Sequence, residues 1–139
     1  EAKEKTYFDF MDKYANKELT DDMSDYDYVA TVCCKYRRVC EEKAKFIANE
    51  TKSISEANSS FSQEIYTLSS MDNKTVEDRK KILQLKSLVI SNEYSAKLSN
   101  QPKKLSYELE LVDLDSLVRD MMGNPKYAKF YEEIITKFV

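Results

Sequence analysis

Residues 25–48, DYDYVATVCCKYRRVCEEKAKFIA, contain the most regular helical pattern in the chain. Apolar side chains recur there mostly three, four or seven positions apart, which predicts one stripe of an amphipathic helix. Ser24 precedes the stretch as a candidate N-cap, and Asp25 and Asp27 lie in the first turn, where the helix dipole favours acids. The stripe consists of Val29, Val32, Cys33, Tyr36, Val39, Cys40, Ala44 and Ile47.

The sequence on either side of this stretch predicts further helices. Before it, Tyr7, Phe8, Met11 and Tyr14 have the spacing of one helix face, which indicates a first helix over about residues 3–15. After it, the Ser/Thr/Asn-rich residues 51–60 predict a break, although a helix start at Ser53 or Ser55 also fits. A third stripe then follows, made of Phe61, Ile65, Leu68 and Met71.

Two cap signals mark later helices. Thr75 with Asp78 is a variant of the capping box, and it predicts a fourth helix that ends before Pro102. A helical pattern over residues 114–121 ends at Gly123, and Asn124 with Pro125 then opens a last helix. The fourth stripe contains Ile82, Leu85, Leu88, Val89 and Ala96, and the last one contains Tyr127, Phe130, Tyr131, Ile134 and Phe138.

Residues 105–111 differ from this pattern because apolar and polar residues alternate there, as in a strand. The chain has no second alternating segment to pair with this one. An extended connector or a helix is therefore favoured, and a strand that pairs between molecules is the alternative.

Composition favours helices throughout. The chain has 139 residues, of which one is glycine and two are proline, so glycine-rich turns and phosphate loops are excluded. Its hydrophobic fraction of 42% and charged fraction of 34% are typical of a soluble globular domain. We therefore predict an all-α protein, with residues 1–139 forming a single compact bundle of five or six amphipathic helices.

Three Asn-x-Ser/Thr triplets begin at Asn49, Asn58 and Asn73, and each is a candidate glycosylation site. A sugar acceptor must be exposed and must pass through the secretory pathway, so the triplets predict a secreted glycoprotein. The start at Glu1 fits a removed signal peptide, and it fits equally a trimmed intracellular fragment. No apolar run approaches the ~18 residues that a membrane span requires.

Cys33, Cys34 and Cys40 lie within eight residues of one another. In a continuous helix Cys33 and Cys40 are ~10 Å apart along the axis, which is too far for a disulfide. These two belong to the apolar stripe and are expected to be buried. Cys34 lies off the stripe, so we expect it to be the reactive thiol, with a disulfide-linked dimer as one outcome.

Several activities lack the residues that they require. The chain has no histidine to act as the base of a cysteine nucleophile, and three cysteines without histidine make a poor zinc site. The acids from Asp21 to Asp27 resemble a calcium loop, but Tyr26 and Val32 occupy the positions where glycine and glutamate are required. A net charge of −3 argues against nucleic acid. We predict a protein that is not an enzyme and has no cofactor or metal.

Aromatic residues are abundant, with ten tyrosines and six phenylalanines. Tyrosine suits binding surfaces because it combines a large apolar body with a polar tip. We take Tyr26, Tyr28, Tyr127 and Tyr131 as the candidate binding surface for a protein partner. A carrier of a small apolar ligand such as a lipid, and an intracellular helical adaptor, are the alternatives.

Two short segments resemble a known family. Ile54-Ser55-Glu56-Ala57, followed by Asp72-Asn73-Lys74-Thr75 and the helix up to Leu88, is similar to the SXP/RAL-2 family of secreted nematode antigens. The likeness covers about a third of the chain, and the tryptophan usual in that family is absent. It implies a secreted parasite protein at a host–parasite interface, or a carrier of small apolar ligands.

Overall fold

The structure is a computed structural model that describes residues 2–136, with side chains described from Glu4 onward. Within this part of the chain there are four α-helices and no strand, which confirms the all-α fold. The expected number of five or six helices is wrong, because two pairs of predicted helices are continuous. The helices are α1 (Ala2–Ala15), α2 (Asp25–Ser69), α3 (Val76–Met122) and α4 (Pro125–Ile135).

The predicted break at residues 51–60 is absent because α2 continues through it. Serine, threonine and asparagine disfavour a helix interior only slightly, and tertiary packing overrides that preference. The Thr51 and Thr67 hydroxyls each donate to the backbone carbonyl four residues earlier, at 3.1 and 3.0 Å. Such back-bonding satisfies the hydroxyl without interrupting the helix.

Helix α3 likewise continues past Pro102, where the sequence predicted its end. A proline inside a helix removes one backbone hydrogen bond and costs about 3 kcal/mol, so the packing of a 47-residue helix must offset it. Residues 105–111 are therefore helical, which excludes both the connector and the intermolecular strand in this structure.

The predicted cap signals are confirmed at three helix starts. The Ser24 hydroxyl accepts from the Asp27 amide at 3.1 Å, and the Asn124 side chain accepts from the Lys126 amide at 3.0 Å. Thr75 and Asp78 bond reciprocally, each backbone amide donating to the other side chain at 2.9 and 3.1 Å. These bonds satisfy amides that have no partner inside the helix.

The chain divides into two compact units. Unit 1 comprises residues 1–43 and 105–139, and unit 2 comprises residues 44–104. The single domain over residues 1–139 stays a prediction, which native-state hydrogen exchange would test. Phe138, which the sequence assigned to the last helix, lies outside the described residues.

Unit 1 contains a well-packed apolar core around the first part of α2. Six consecutive residues, Val29 to Cys34, are buried, so this segment is covered on every side rather than along one stripe. The other buried members of the cluster come from α1, α3 and α4: Met11, Tyr14, Ala15, Met121 and Ile134.

Unit 2 is an antiparallel pair formed by the second part of α2 and the first part of α3. Its buried apolar residues include Ile82 and Leu85, and two polar residues, Glu50 and Asn58, are buried as well. The Asn58 side chain donates to the Val89 carbonyl at 3.3 Å and accepts from Asn92 at 2.9 Å. Polar groups buried between two helices fix their register, because a shift would leave them without partners.

Candidate binding surface

The four tyrosines proposed as a binding surface lie together in unit 1, but they are half-buried and pack against its core. The Tyr28 and Tyr127 rings are 5.1 Å apart, and Tyr26 meets the Phe130 ring edge-on at 5.8 Å. Burial is the main cause that raises the pKa of Tyr26, Tyr28 and Tyr131. These rings pack α4 against α2, so the four tyrosines form an internal aromatic contact.

The structure reverses the predicted order of the cysteines. Cys34 is fully buried and Cys33 nearly so, whereas Cys40 is the most exposed of the three. Burial raises the pKa of Cys33 to about 11 and that of Cys34 to about 12, which disfavours the reactive thiolate. The expectation that Cys34 lies off the buried stripe is therefore wrong. Its reactivity and a dimer linked through it stay predictions, which this burial disfavours. The expectation failed because it assumed that α2 is buried along one stripe, whereas this part of α2 is covered on every side.

The three sugar triplets differ in their surroundings. Asn49 and Asn73 are exposed, as a glycan acceptor must be. Asn58 is buried between α2 and α3, and both ends of its amide are hydrogen-bonded. The exposure that a glycan acceptor requires is therefore not found at Asn58, and a glycan there would disrupt this packing.

A buried ion pair lies further along unit 2. The Glu50 carboxylate accepts from the Lys104 ammonium at 2.7 Å and from the Asn100 amide at 2.9 Å. These two hydrogen bonds, with that from Lys104 the larger, hold the pKa of Glu50 below its usual range. Every oxygen of this carboxylate thus has a partner, which is the arrangement of a structural pair rather than of a general acid or base.

Several large apolar side chains are exposed on one side of α3. In unit 2, Leu83, Ile90 and Tyr94 are 65–67% exposed, and Val76 and Leu98 are also exposed. These five side chains are spaced by four or seven residues, so they share one face of the helix. We call them the α3 face. On the opposite side of the helix, Ile82 and Leu85 are buried.

The sequence contains the signal for the α3 face, although only a single apolar stripe was predicted for this helix. Leu88 was placed with the core residues, yet it is 45% exposed and belongs to neither side. Apolar residues therefore lie on two faces of this helix, one buried in unit 2 and one exposed. Positions 83, 90, 94 and 98 form a second periodic set, and their spacing identifies the exposed face.

Two cavities are lined mostly by charged side chains. The one in unit 1, of about 350 Å³, is bordered by Lys35, Arg38, Glu42, Glu110 and Asp113 among others. The other, of about 540 Å³, lies at the start of α3 beside residues 77–84. Small-molecule sites combine an apolar lining with a few polar groups, whereas charged side chains make up most of the residues that border these two cavities.

The described part of the chain contains neither a cluster of metal-ligating side chains nor a helix that could cross a membrane. Among residues 2–136, no group of three or more cysteine, aspartate or glutamate residues is placed to hold a metal ion. None of the four described helices combines the length and the apolar character needed to cross a membrane.

Comparison with known proteins gives no family for this chain: no family profile, no curated protein and no solved structure matches it. The likeness to the nematode antigens therefore stays a resemblance of short segments.

Proposed function

We propose that this chain is a non-enzymatic helical binding protein that engages a macromolecular partner through the α3 face. The observation that carries the proposal is the set of five large apolar side chains exposed along one side of a long helix. Contiguous exposed apolar patches on soluble proteins mark sites of interaction, because leaving them in water is unfavourable.

The dimensions of the α3 face favour a macromolecule over a small ligand. From Val76 to Leu98 the face extends over 22 helical steps, which is about 33 Å at 1.5 Å per residue. It is a ridge on an exposed helix, whereas small-molecule sites are concave. An elongated partner such as a second helix would cover this ridge and bury its side chains.

We propose that the protein is secreted and carries glycans on Asn49 and Asn73, both of which are exposed. Expression in a eukaryotic secretory host, followed by glycosidase treatment and peptide mapping, tests this. We expect mass shifts at those two residues and none at Asn58. No shift at any site would favour the intracellular adaptor.

The small-ligand carrier and the adaptor remain alternative proposals. A carrier predicts an apolar molecule that co-purifies with the protein and is detected by native mass spectrometry. An adaptor uses the same α3 face for a partner inside the cell, so it differs in compartment rather than in surface.

Photo-crosslinking tests the role of the α3 face. A benzophenone amino acid is placed at Ile90, on the face, or at Leu88, which is exposed but off the face. In the medium of the source cells and with purified protein, we expect adducts above the 16.3 kDa chain from position 90 and few from position 88. Equal adduct formation at both positions, or none, would contradict the proposal.

A further inference from the structure

The exposed apolar residues of α3 form a series that is symmetric about Tyr94. Val76, Leu83, Ile90, Tyr94, Leu98, Leu105 and Val112 are separated by 7, 7, 4, 4, 7 and 7 residues, so the spacing is the same from either end. Each of the seven is at least 53% exposed. Leu88, Leu109 and Met122 are the exposed large apolar residues of α3 outside the series.

A symmetric series has a consequence for pairing. If a second α3 lies antiparallel with Tyr94 facing Tyr94, then Ile90 faces Leu98 of the second copy. Leu83 faces Leu105 in the same register, and Val76 faces Val112. Each apolar side chain of the series thus meets another apolar side chain, as an isologous twofold interface requires.

The polar residues between the apolar ones are complementary in the same register. Lys80 lies four residues after Val76, and Glu108 lies four residues before Val112. In the antiparallel pair, Lys80 of one copy faces Glu108 of the other. Ser87 and Gln101 also face each other, which pairs two hydrogen-bonding side chains. With these included, the spacing alternates between four and three residues, as in a coiled-coil seam, except for two consecutive four-residue steps at Tyr94.

Charge along α3 distinguishes antiparallel from parallel pairing. Residues 76–97 contain five basic and three acidic side chains, whereas residues 98–122 contain three basic and five acidic ones. An antiparallel pair places the basic half beside the acidic half of the second copy. A parallel pair would place Lys80 beside Lys80 and Glu108 beside Glu108, which is unfavourable.

We propose that the partner of the α3 face is a second copy of this chain, bound through an antiparallel α3–α3 contact centred on Tyr94. This rests on the proposed function and specifies its partner. The contact is non-covalent, and it is independent of the buried Cys34.

Charge reversal tests both the contact and its direction. Sedimentation at tens of micromolar protein should give twice the 16.3 kDa chain mass for the wild type. Lys80→Glu, which places two acids opposite each other, should weaken self-association about tenfold or more. Adding Glu108→Lys should restore it. A monomeric wild type, or no effect of Lys80→Glu, would overturn the proposal.

A cysteine at the symmetry centre gives a second measurement that does not depend on charge variants. In the proposed register, position 94 of one copy lies opposite position 94 of the other. Mild oxidation of the Tyr94→Cys variant should therefore yield a covalent dimer rapidly. Leu88→Cys, exposed on the same helix but off the series, is the matched control and should remain largely monomeric. Equal crosslinking of the two variants and the wild type would overturn the proposed register.

The photo-crosslinking at Ile90 separates failure of this inference from failure of the proposed function. An adduct with the chain itself supports both. An adduct with a different macromolecule, together with a monomeric mass, overturns the second copy as partner and leaves the binding function in place. No adduct at either position, together with a monomeric mass, overturns both.

Discussion

Thr31 is an unfavourable residue at the centre of unit 1. Its hydroxyl is fully buried and, within the described residues, has no hydrogen-bond partner. Neighbouring positions are filled by the apolar side chains Val29, Ala30 and Val32. A buried polar group without a partner keeps the desolvation cost that folding imposes on it.

We predict that Thr31→Val stabilises the protein by roughly 1–2 kcal/mol, because valine has a similar volume and no group to desolvate. Urea unfolding at equilibrium measures the change. The control is Thr51→Val, where an exposed hydroxyl donates to the Ile47 carbonyl, with an expected effect within about 0.5 kcal/mol. Destabilisation by Thr31→Val would show that the hydroxyl has a partner inside the core.

The buried thiols predict how stability depends on pH. The pKa values of Cys33 and Cys34, about 11 and about 12, lie above the 9.0 of an exposed thiol. The unfolded chain therefore loses these protons at a lower pH than the folded chain. The free energy of unfolding should fall as pH rises above about 9, with the decrease complete near pH 12.

Urea unfolding at about pH 8 and about pH 10.5 measures this loss. The double variant Cys33→Ala, Cys34→Ala should lose less stability between the two pH values than the wild type. Cys40→Ala is the control and should keep the wild-type difference. In the native state at neutral pH, an alkylating reagent should modify Cys40 first; faster modification of Cys34 would contradict its burial.

At the scale of the helices, the polar contacts in unit 2 specify how α2 and α3 align. Glu50 is hydrogen-bonded to Asn100 and Lys104, and Asn58 is hydrogen-bonded to Val89 and Asn92. These two sets of contacts, at separate points along the helices, define one antiparallel register. Apolar side chains alone would accept a shift by a heptad more readily than these hydrogen-bonded groups do.

We predict that Glu50→Gln lowers the urea midpoint at neutral pH, because the amide loses the charge that pairs with Lys104. The folded-state pKa of Glu50 is lowered, so its contribution is present above about pH 4.5 and is lost as the pH falls through the folded value. The difference between variant and wild type should therefore shrink at about pH 3. Glu56→Gln, exposed on the same helix, should change little at either pH.

The helices were partly predictable from sequence because caps are local. Ser24, the Thr75–Asp78 box and Asn124–Pro125 each act within a few residues, and all three mark true helix starts. Continuity through residues 51–60 and Pro102 was not predictable, since there packing between distant segments overrides local preference. The same limit explains Cys34 and Asn58: only the partner helices decide that these side chains are buried.

At the scale of the whole molecule, the two units differ in what stabilises them. Unit 1 has a cluster of ten buried residues, whereas the buried residues of unit 2 are few and include Glu50 and Asn58. Fewer buried apolar contacts imply a lower free energy of local opening.

We predict that native-state hydrogen exchange is slower for amides of residues 29–34 than for amides of residues 54–65. Raising the protein concentration should protect residues 83–98, which the proposed pairing of two copies covers. Equal opening free energies for the slowest amides of both units would contradict the first expectation and support a single cooperative domain over residues 1–139.

The two ends of the chain both contribute to unit 1, and this has a consequence for the order of folding. Segments 1–43 and 105–139 are far apart in sequence, so their contacts carry a large entropy of loop closure. Unit 2 is formed by one uninterrupted segment whose two helices are joined by a short turn. Once the Glu50–Lys104 contact has formed, the segments 1–43 and 105–139 are separated by a much shorter loop. We therefore expect unit 2 to form first during folding, although it contributes less than unit 1 to the final stability.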